Sequence, residues 1–337
     1  MKAVVYRKSL PVADTQSLLD VELPDPSPGA RDLLVRVEAV SVNPVDTKIR
    51  RNVDPAGADK VLGWDVAGTV VAVGDEVTRF KVGDSVWYAG ELERPGGNSA
   101  LHVVDERIVG RKPSTFSMAE AAALPLTALT AWELMFDHMG IPHGTTGRPA
   151  TLLVVGAAGG VGSIAVQLAR RLTGLTVIGT ASRPETRAWV ESMGAHHVVD
   201  HSKPLADEVR AVAPEGVNYV LSLTATEKHY AALVDVLKPQ GKLGLIDDPA
   251  EAIDVRLMKR KSLSLYWEFM YARSMYRTDD MAEQGRILDE VANLVDAGVI
   301  RTTARENLGT VNADNLRRAH VLLESGKAIG KIVLEGF

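Results

Sequence analysis

The chain of 337 residues contains no cysteine. Disulfides are excluded, and so are the thiolate ligands on which most structural zinc sites depend. The absence fits a reducing, cytoplasmic setting. No apolar run approaches the ~18 residues of a spanning helix, so no membrane role is expected. The start, Met1-Lys2-Ala3-Val4-Val5-Tyr6-Arg7, alternates and then turns polar, unlike a signal peptide. Long basic runs are also missing; Lys259-Arg260-Lys261 reads as a solvated loop, and the net charge is −5. A nucleic-acid partner is therefore not expected. Aromatic residues are scarce, at 5%. Against that background Tyr266, Trp267 and Phe269 stand out as a substrate wall, a subunit contact or core packing.

What remains is an ordinary globular composition, 46% hydrophobic. The length fits about two domains of ~100–200 residues. The first stretch reads as short strands: Leu33 to Val40, Val66 to Gly74, and Val82 to Tyr88, punctuated by Gly74-Asp75 and Gly83-Asp84. Such spacing suggests an antiparallel, barrel-like domain. Ser117 and Glu120 have capping-box spacing ahead of an Ala-rich helix. Pro125 is expected to interrupt it, with a second helix over Thr127 to Met135. From about residue 150 the pattern becomes βαβ. Thr151 to Val155 is apolar without alternation, as in a strand buried on both faces. Gly160 to Leu172 and Pro184 to Met193 have helical spacing. Strands are expected at 175–180, 197–199, 217–221 and 241–246, a further helix at 281–297, and a closing strand at 331–334. Alternating strands and helices imply an α/β fold with a doubly wound parallel sheet.

Between Val155 and the first of these helices lies Gly156-Ala157-Ala158-Gly159-Gly160-Val161-Gly162. Dinucleotide binding needs a strand, a turn free of side chains, and a helix N-terminus facing the pyrophosphate. The usual G-x-G-x-x-G register falls on Ala157, Gly159 and Gly162, so alanine replaces the first glycine. Gly159 lets the backbone approach the pyrophosphate, and Gly162 allows close packing of helix on strand.

An NAD site usually carries an acid at the end of the next strand, on the ribose 2′-hydroxyl. Here that position reads Thr180-Ala181-Ser182-Arg183. One opposed unit charge at ~4 Å and an effective dielectric near ~20 is worth about 4 kcal/mol before desolvation. Arg183, with Ser182, therefore points to NADPH, unless the guanidinium merely faces solvent ahead of Pro184.

The order of parts resembles the medium-chain dehydrogenase/reductase superfamily over essentially the whole chain. The glycine turn, Asn43-Pro44-Val45-Asp46, Gly83-Asp84-Ser85-Val86 and Leu129-Thr130-Ala131 are similar to its zinc-free quinone oxidoreductase branch. Members near this pattern are often labelled zinc-type alcohol dehydrogenase-like. The resemblance implies a GroES-like catalytic domain over 1–125, an NADP-binding Rossmann domain over 126–265, and a C-terminal return over 266–337. It also implies a homodimer. Where zinc members have Gly-His-Glu, this chain has Gly63-Trp64-Asp65, and the first cysteine ligand falls at about Asn43 or Pro44. No metal is expected.

By the same resemblance, Asn43 and Thr130 would lie beside the nicotinamide and substrate, Asn43 as a donor to a carbonyl oxygen. Trp64 would line the pocket or the core, and Tyr88 is a possible proton donor. His201 would lie near the adenosine phosphate, and Lys331 in a segment approaching the cofactor. The implied activity is NADPH-dependent hydride transfer to an electrophilic small molecule, a quinone or α,β-unsaturated carbonyl. An enoyl-thioester or alkenal reductase and a non-catalytic NADPH-binding protein stay open.

Overall fold

Strand Asp32–Ser41 alternates as the sequence suggests: Leu33, Val35 and Val37 are buried while Arg36 is exposed. It is the hub of its sheet. One edge pairs with Val66–Val73 along nearly its full length. The other edge is shared, Leu101–Asp105 pairing with residues 32–36 and Lys331–Glu335 with residues 39–41. Ser85–Tyr88, Gly110–Arg111 and Ala304–Asn307 complete seven strands. A second sheet joins Leu19–Glu22, Lys2–Tyr6 and Lys60–Val61. These belong to one unit, Met1–Leu129 with Tyr271–Phe337; Thr130–Met270 forms another. The computed structural model describes residues 1–145 and 149–337.

The second unit is a six-stranded parallel sheet. Its order is His197–Val199, Thr176–Thr180, Thr151–Val155, Val217–Ser222, Leu237–Leu245, Ser264–Trp267. This is the doubly wound order, with the first strand central and the chain reversing beside it. Leu152 to Val155 and Val177 to Thr180 are buried on both faces, which explains their missing alternation. Helices Gly160–Leu172 and Pro184–Met193 fall where their spacing predicts. Among the described residues no helix is long and apolar enough to cross a membrane.

Pro125 separates two helices as expected: the Ala-rich helix ends at Ala122, and the second, Pro125–Trp132, starts at the proline itself, two residues earlier than expected. At the first helical position the missing N–H costs nothing. That helix continues into a π-helical turn, Glu133–His138. The aromatic cluster is not core: Ser264–Trp267 is an edge strand, and Trp267 and Phe269 are each 52% exposed.

The hub strand depends on one glycine. Its pairing with Val66–Val73 shifts register between Val37 and Ala39, and Gly68 lies opposite Val37. A Cβ on Gly68 would sit 2.2 Å from the Arg36 carbonyl oxygen. The irregularity brings two backbones too close for any side chain. Gly68→Ala is therefore expected to destabilise the protein by about 2–4 kcal/mol. Urea unfolding measures this, and an unchanged midpoint would contradict the steric account.

Candidate active site

The glycine turn has one residue in the left-handed region, Gly156, with φ of +78°. The sharp turn is therefore made one residue before the usual register. Ala157 carries no such burden and packs inward, fully buried. Its Cβ needs space from the neighbouring strand: a Cβ on Gly179 would lie 3.0 Å from it. Gly162 is obligatory, since its own Cβ would meet the Gly156 carbonyl oxygen at 2.4 Å. Gly159 differs, because its Cβ would meet only that oxygen, at 3.5 Å. The space beside it is open, a cradle that a side chain would fill. Gly159 caps helix Gly160–Leu172 with no side-chain hydrogen bond. The first-turn amides of Gly160, Val161 and Gly162 have no intrahelical acceptor, the arrangement by which a helix start takes an anion. This geometry fits the pyrophosphate of a dinucleotide.

The turn connects to the next strand through a hydroxyl. The Gly156 amide donates to Thr180 Oγ1 at 3.2 Å, and Thr180 Oγ1 lies 3.1 Å from His201 Nδ1. Burial holds His201 below the usual histidine range, aided by Lys228, while Asp200 acts the other way. The Arg183 amide donates to Thr186 Oγ1, and its guanidinium is 3.2 Å from the Glu185 carboxylate. Ser182 is half-buried beside it. His229 escaped sequence reasoning. It sits in the first turn of helix Thr226–Val236, with its ring centroid 6.3 Å from that of His201. No local pattern links positions 28 residues apart; the topology gathers the loops that follow successive strands.

In the first unit, Asn43 caps helix Pro44–Asn52, its amide donating to Asp46 Oδ2 at 2.7 Å. Its side chain is fully engaged. Nδ2 donates to Asp65 Oδ2 at 2.8 Å and to the Trp64 carbonyl at 3.2 Å. Oδ1 accepts from Lys331 Nζ, which also donates to Val42 O and Asp65 Oδ2, both at 2.9 Å. Asp65 Oδ1 accepts from the Leu126 amide at 2.7 Å. Lys331 therefore directs its three protons into this cluster. Both Nδ2 protons of Asn43 are likewise engaged within the cluster. Thr130, buried, is the first residue of the second unit. Burial pushes Asp65 upward against the pull of Lys331. Asp46, fully buried, is pushed up to about 7 by burial, with the Asp65 charge adding to the shift.

Trp64 and Tyr88 also take structural places. Trp64 is buried, and its Nε1 donates to the Glu91 carbonyl at 3.0 Å. Tyr88 Oη is 2.9 Å from His102 Nδ1, and His102 Nε2 is 2.9 Å from the Pro95 carbonyl. Burial lowers His102 to about 4, so the ring is neutral, accepting at Nδ1 and donating at Nε2. Arg94 meets Asp32 with two bonds of 2.9 and 3.0 Å. Together these side chains anchor the loop between Ala89 and Ser99. Neither Trp64 nor Tyr88 presents a polar atom to a ligand. A zinc ion does not fit here: the indole nitrogen is a donor without a lone pair, Asn43 is saturated, and Asp65 is paired with Lys331.

Two outcomes follow. Asp46 binds its proton more tightly in the folded chain than in the unfolded one, where its value is near 3.8. Stability from the neutral carboxyl is full below about pH 4 and is lost as pH rises through about 7, by roughly 4 kcal/mol in all. Asp46→Asn should flatten this slope in urea titrations between about pH 5 and about pH 8; a wild-type slope in the variant would place the proton elsewhere. In the turn, Gly162→Ala should abolish dinucleotide binding in calorimetry, because the clash is with backbone. Wild-type affinity there would refute the turn as the phosphate site.

Comparison with known proteins agrees with this geometry. Residues 29–129 match the alcohol dehydrogenase GroES-like domain, and residues 160–284 match the zinc-binding dehydrogenase family. A zinc-type alcohol dehydrogenase-like protein of Staphylococcus aureus is 38% identical over 335 residues, covering 99% of each chain. A quinone oxidoreductase of Pseudomonas aeruginosa is 33% identical over 313 residues, 91% of this chain and 92% of that one. A crystal structure from Rhizobium etli, named as a candidate zinc-dependent alcohol dehydrogenase, is 56% identical with a TM-score of 0.96. It covers 100% of this chain and 98% of its own. The chain thus belongs to the medium-chain dehydrogenase/reductase superfamily, as a nicotinamide-dependent oxidoreductase of the zinc-type alcohol dehydrogenase-like group related to quinone oxidoreductases.

Proposed function

We propose that the protein is an NADPH-dependent, zinc-independent reductase that delivers hydride to a quinone or an α,β-unsaturated carbonyl. The observation that carries the cofactor choice is the end of strand Thr176–Thr180. It holds Thr180, Ser182 and Arg183 with His201 against the threonine hydroxyl, and residues 180–183 include no acid at the place where one binds a ribose 2′-hydroxyl. A 2′-phosphate beside Arg183 competes with Glu185 for the guanidinium and offers it a bidentate partner. The amides at the start of helix Gly160–Leu172 hold the pyrophosphate.

The donor set around Asn43, Trp64 and Asp65 supports an acceptor that needs no Lewis acid. Zinc alcohol chemistry relies on a metal to stabilise an alkoxide. Quinones and enones take hydride and place the resulting charge on their own oxygen. The bound cofactor supplies that hydride. Tyr88 and Lys331 are both committed to internal bonds, so the balancing proton comes from solvent. The exposed edge strand Ser264–Trp267, with Trp267 and Phe269 beside it, supports a homodimer.

Arg183→Ala is expected to raise KM for NADPH by about tenfold or more while leaving KM for NADH within about twofold. An equal rise for both would overturn the cofactor assignment. Steady-state NADPH oxidation with quinones, enones and enoyl thioesters identifies the acceptor class. Turnover on quinones or enones alone supports the reading, and turnover on none of them refutes it.

A further inference from the structure

The helix that follows the fourth parallel strand of the second unit has so far had no role, yet its first turn lies beside the cofactor turn. The residue Thr224, just ahead of it, is close enough that a Cβ on Gly156 would meet its Cγ2 at 2.9 Å. Ala225, in the left-handed region at φ +52°, then directs the chain into helix Thr226–Val236. Thr226 is fixed at the helix start, with its amide 2.9 Å and its hydroxyl 2.6 Å from the Asp247 carboxylate. This anchoring sets the phase of the first turn. Lys228 is exposed there, and His229 turns inward toward His201 at 60° between the rings. His201 in turn rests on Thr180 Oγ1, the atom that receives the Gly156 amide. The phosphate turn, the second strand, the loop after the third strand and the helix after the fourth therefore converge on one small region.

We propose that Lys228, His229 and His201 form a cationic wall of the adenosine end, binding the 2′-phosphate of NADPH opposite Arg183 and making the choice of cofactor depend on pH. The inference rests on the NADPH reading and adds determinants from a helix outside the glycine fingerprint. The Lys228 ammonium acts on both imidazoles, lowering each. Burial is the larger cause in both cases, and it favours two neutral rings near pH 7. Asp200 faces His201, and Glu227 faces His229. Both acids have limited reach: Asp200 is occupied by the Ser202 amide and hydroxyl, and Glu227 is exposed. From the adjoining helix Leu205–Val212, Glu208 is engaged by the Asp200 amide and Lys203. A dianionic phosphate is thus the strongest charge that the imidazoles would meet. Its arrival favours their protonation, so binding takes up protons and weakens as pH rises.

The test uses the full chain and two fragments, 2′,5′-ADP and 5′-AMP, titrated by calorimetry at about pH 6 and about pH 8. Wild type should bind 2′,5′-ADP more tightly than 5′-AMP, with the margin shrinking by about tenfold or more at the higher pH. The phosphate's own ionisation, with a pKa near ~6, works in the opposite direction, so the sign is diagnostic. Lys228→Met, at an exposed position that folding tolerates, should lose about tenfold in 2′,5′-ADP affinity at both pH values and leave 5′-AMP unchanged. His201→Gln with His229→Gln should retain binding but lose the pH-dependent margin and the proton uptake read from buffers of differing ionisation enthalpy. If Lys228→Met and the double variant match wild type while Arg183→Ala loses 2′,5′-ADP, the wall is refuted and the NADPH reading stands. If wild type binds 2′,5′-ADP no better than 5′-AMP, the NADPH reading itself fails.

Discussion

The first unit depends on one buried ammonium. Lys331 lies at the start of the last strand, and its Nζ reaches Val42 O, Asn43 Oδ1 and Asp65 Oδ2. Burying a charge costs several kcal/mol, and that cost is offset only when every donor and acceptor is matched. Here each ammonium proton has an oxygen, and Asp65 has the Leu126 amide on its second oxygen. Segments around residues 43, 65, 126 and 331 are thereby tied at one point. The helix capped by Asn43 is held again about two turns on. Arg50, also fully buried, donates to His320 Nδ1 at 3.2 Å and to the Glu324 carboxylate. Helix Pro44–Asn52 is thus fixed by a cation at each end, one from the closing strand and one of its own. Asp46, lying between them, is left as the neutral member of a crowded set of charges.

Much of the fold was legible in the residues because its determinants are local. Uninterrupted apolar runs marked Thr151–Val155 and its neighbours, and capping chemistry marked the helix after Ser117, where the Glu120 amide bonds back to the serine hydroxyl at 3.2 Å. The edge strand Ser264–Trp267 was not legible. It is neither alternating nor buried, so its residues looked like an aromatic cluster. The site was legible in the same uneven way. A glycine turn is written in consecutive residues, whereas the partners of Asn43, Trp64, Tyr88 and Lys331 lie up to 289 residues away. Side chains of that chemistry serve equally well as ligands or as struts, and only their bonds decide which.

That distinction also bears on names. Several relatives carry zinc in their descriptions, and the family profile over residues 160–284 does too. In this chain, the residues at the corresponding places form a self-contained bonded network with no open coordination site. An indole now holds the loop after Tyr88, and an ammonium supplies positive charge beside Asp65. The scaffold of a metal enzyme is retained while its polar interior is closed on itself.

The substitution of alanine in the glycine fingerprint has a consequence of its own. Ala157 fills space that Gly179 vacates on the adjoining strand, and Gly156 makes the turn that a first glycine would otherwise make. A methyl at position 179 would meet the Ala157 methyl at 3.0 Å and, more tightly, Val190 Cγ1 at 2.5 Å. Positions 157, 179 and 190 therefore form one steric locus divided among three places in the chain, and a side chain at 179 needs room from both neighbours. The alanine in the turn is thus one wall of a niche that the next strand leaves bare and the helix after it closes.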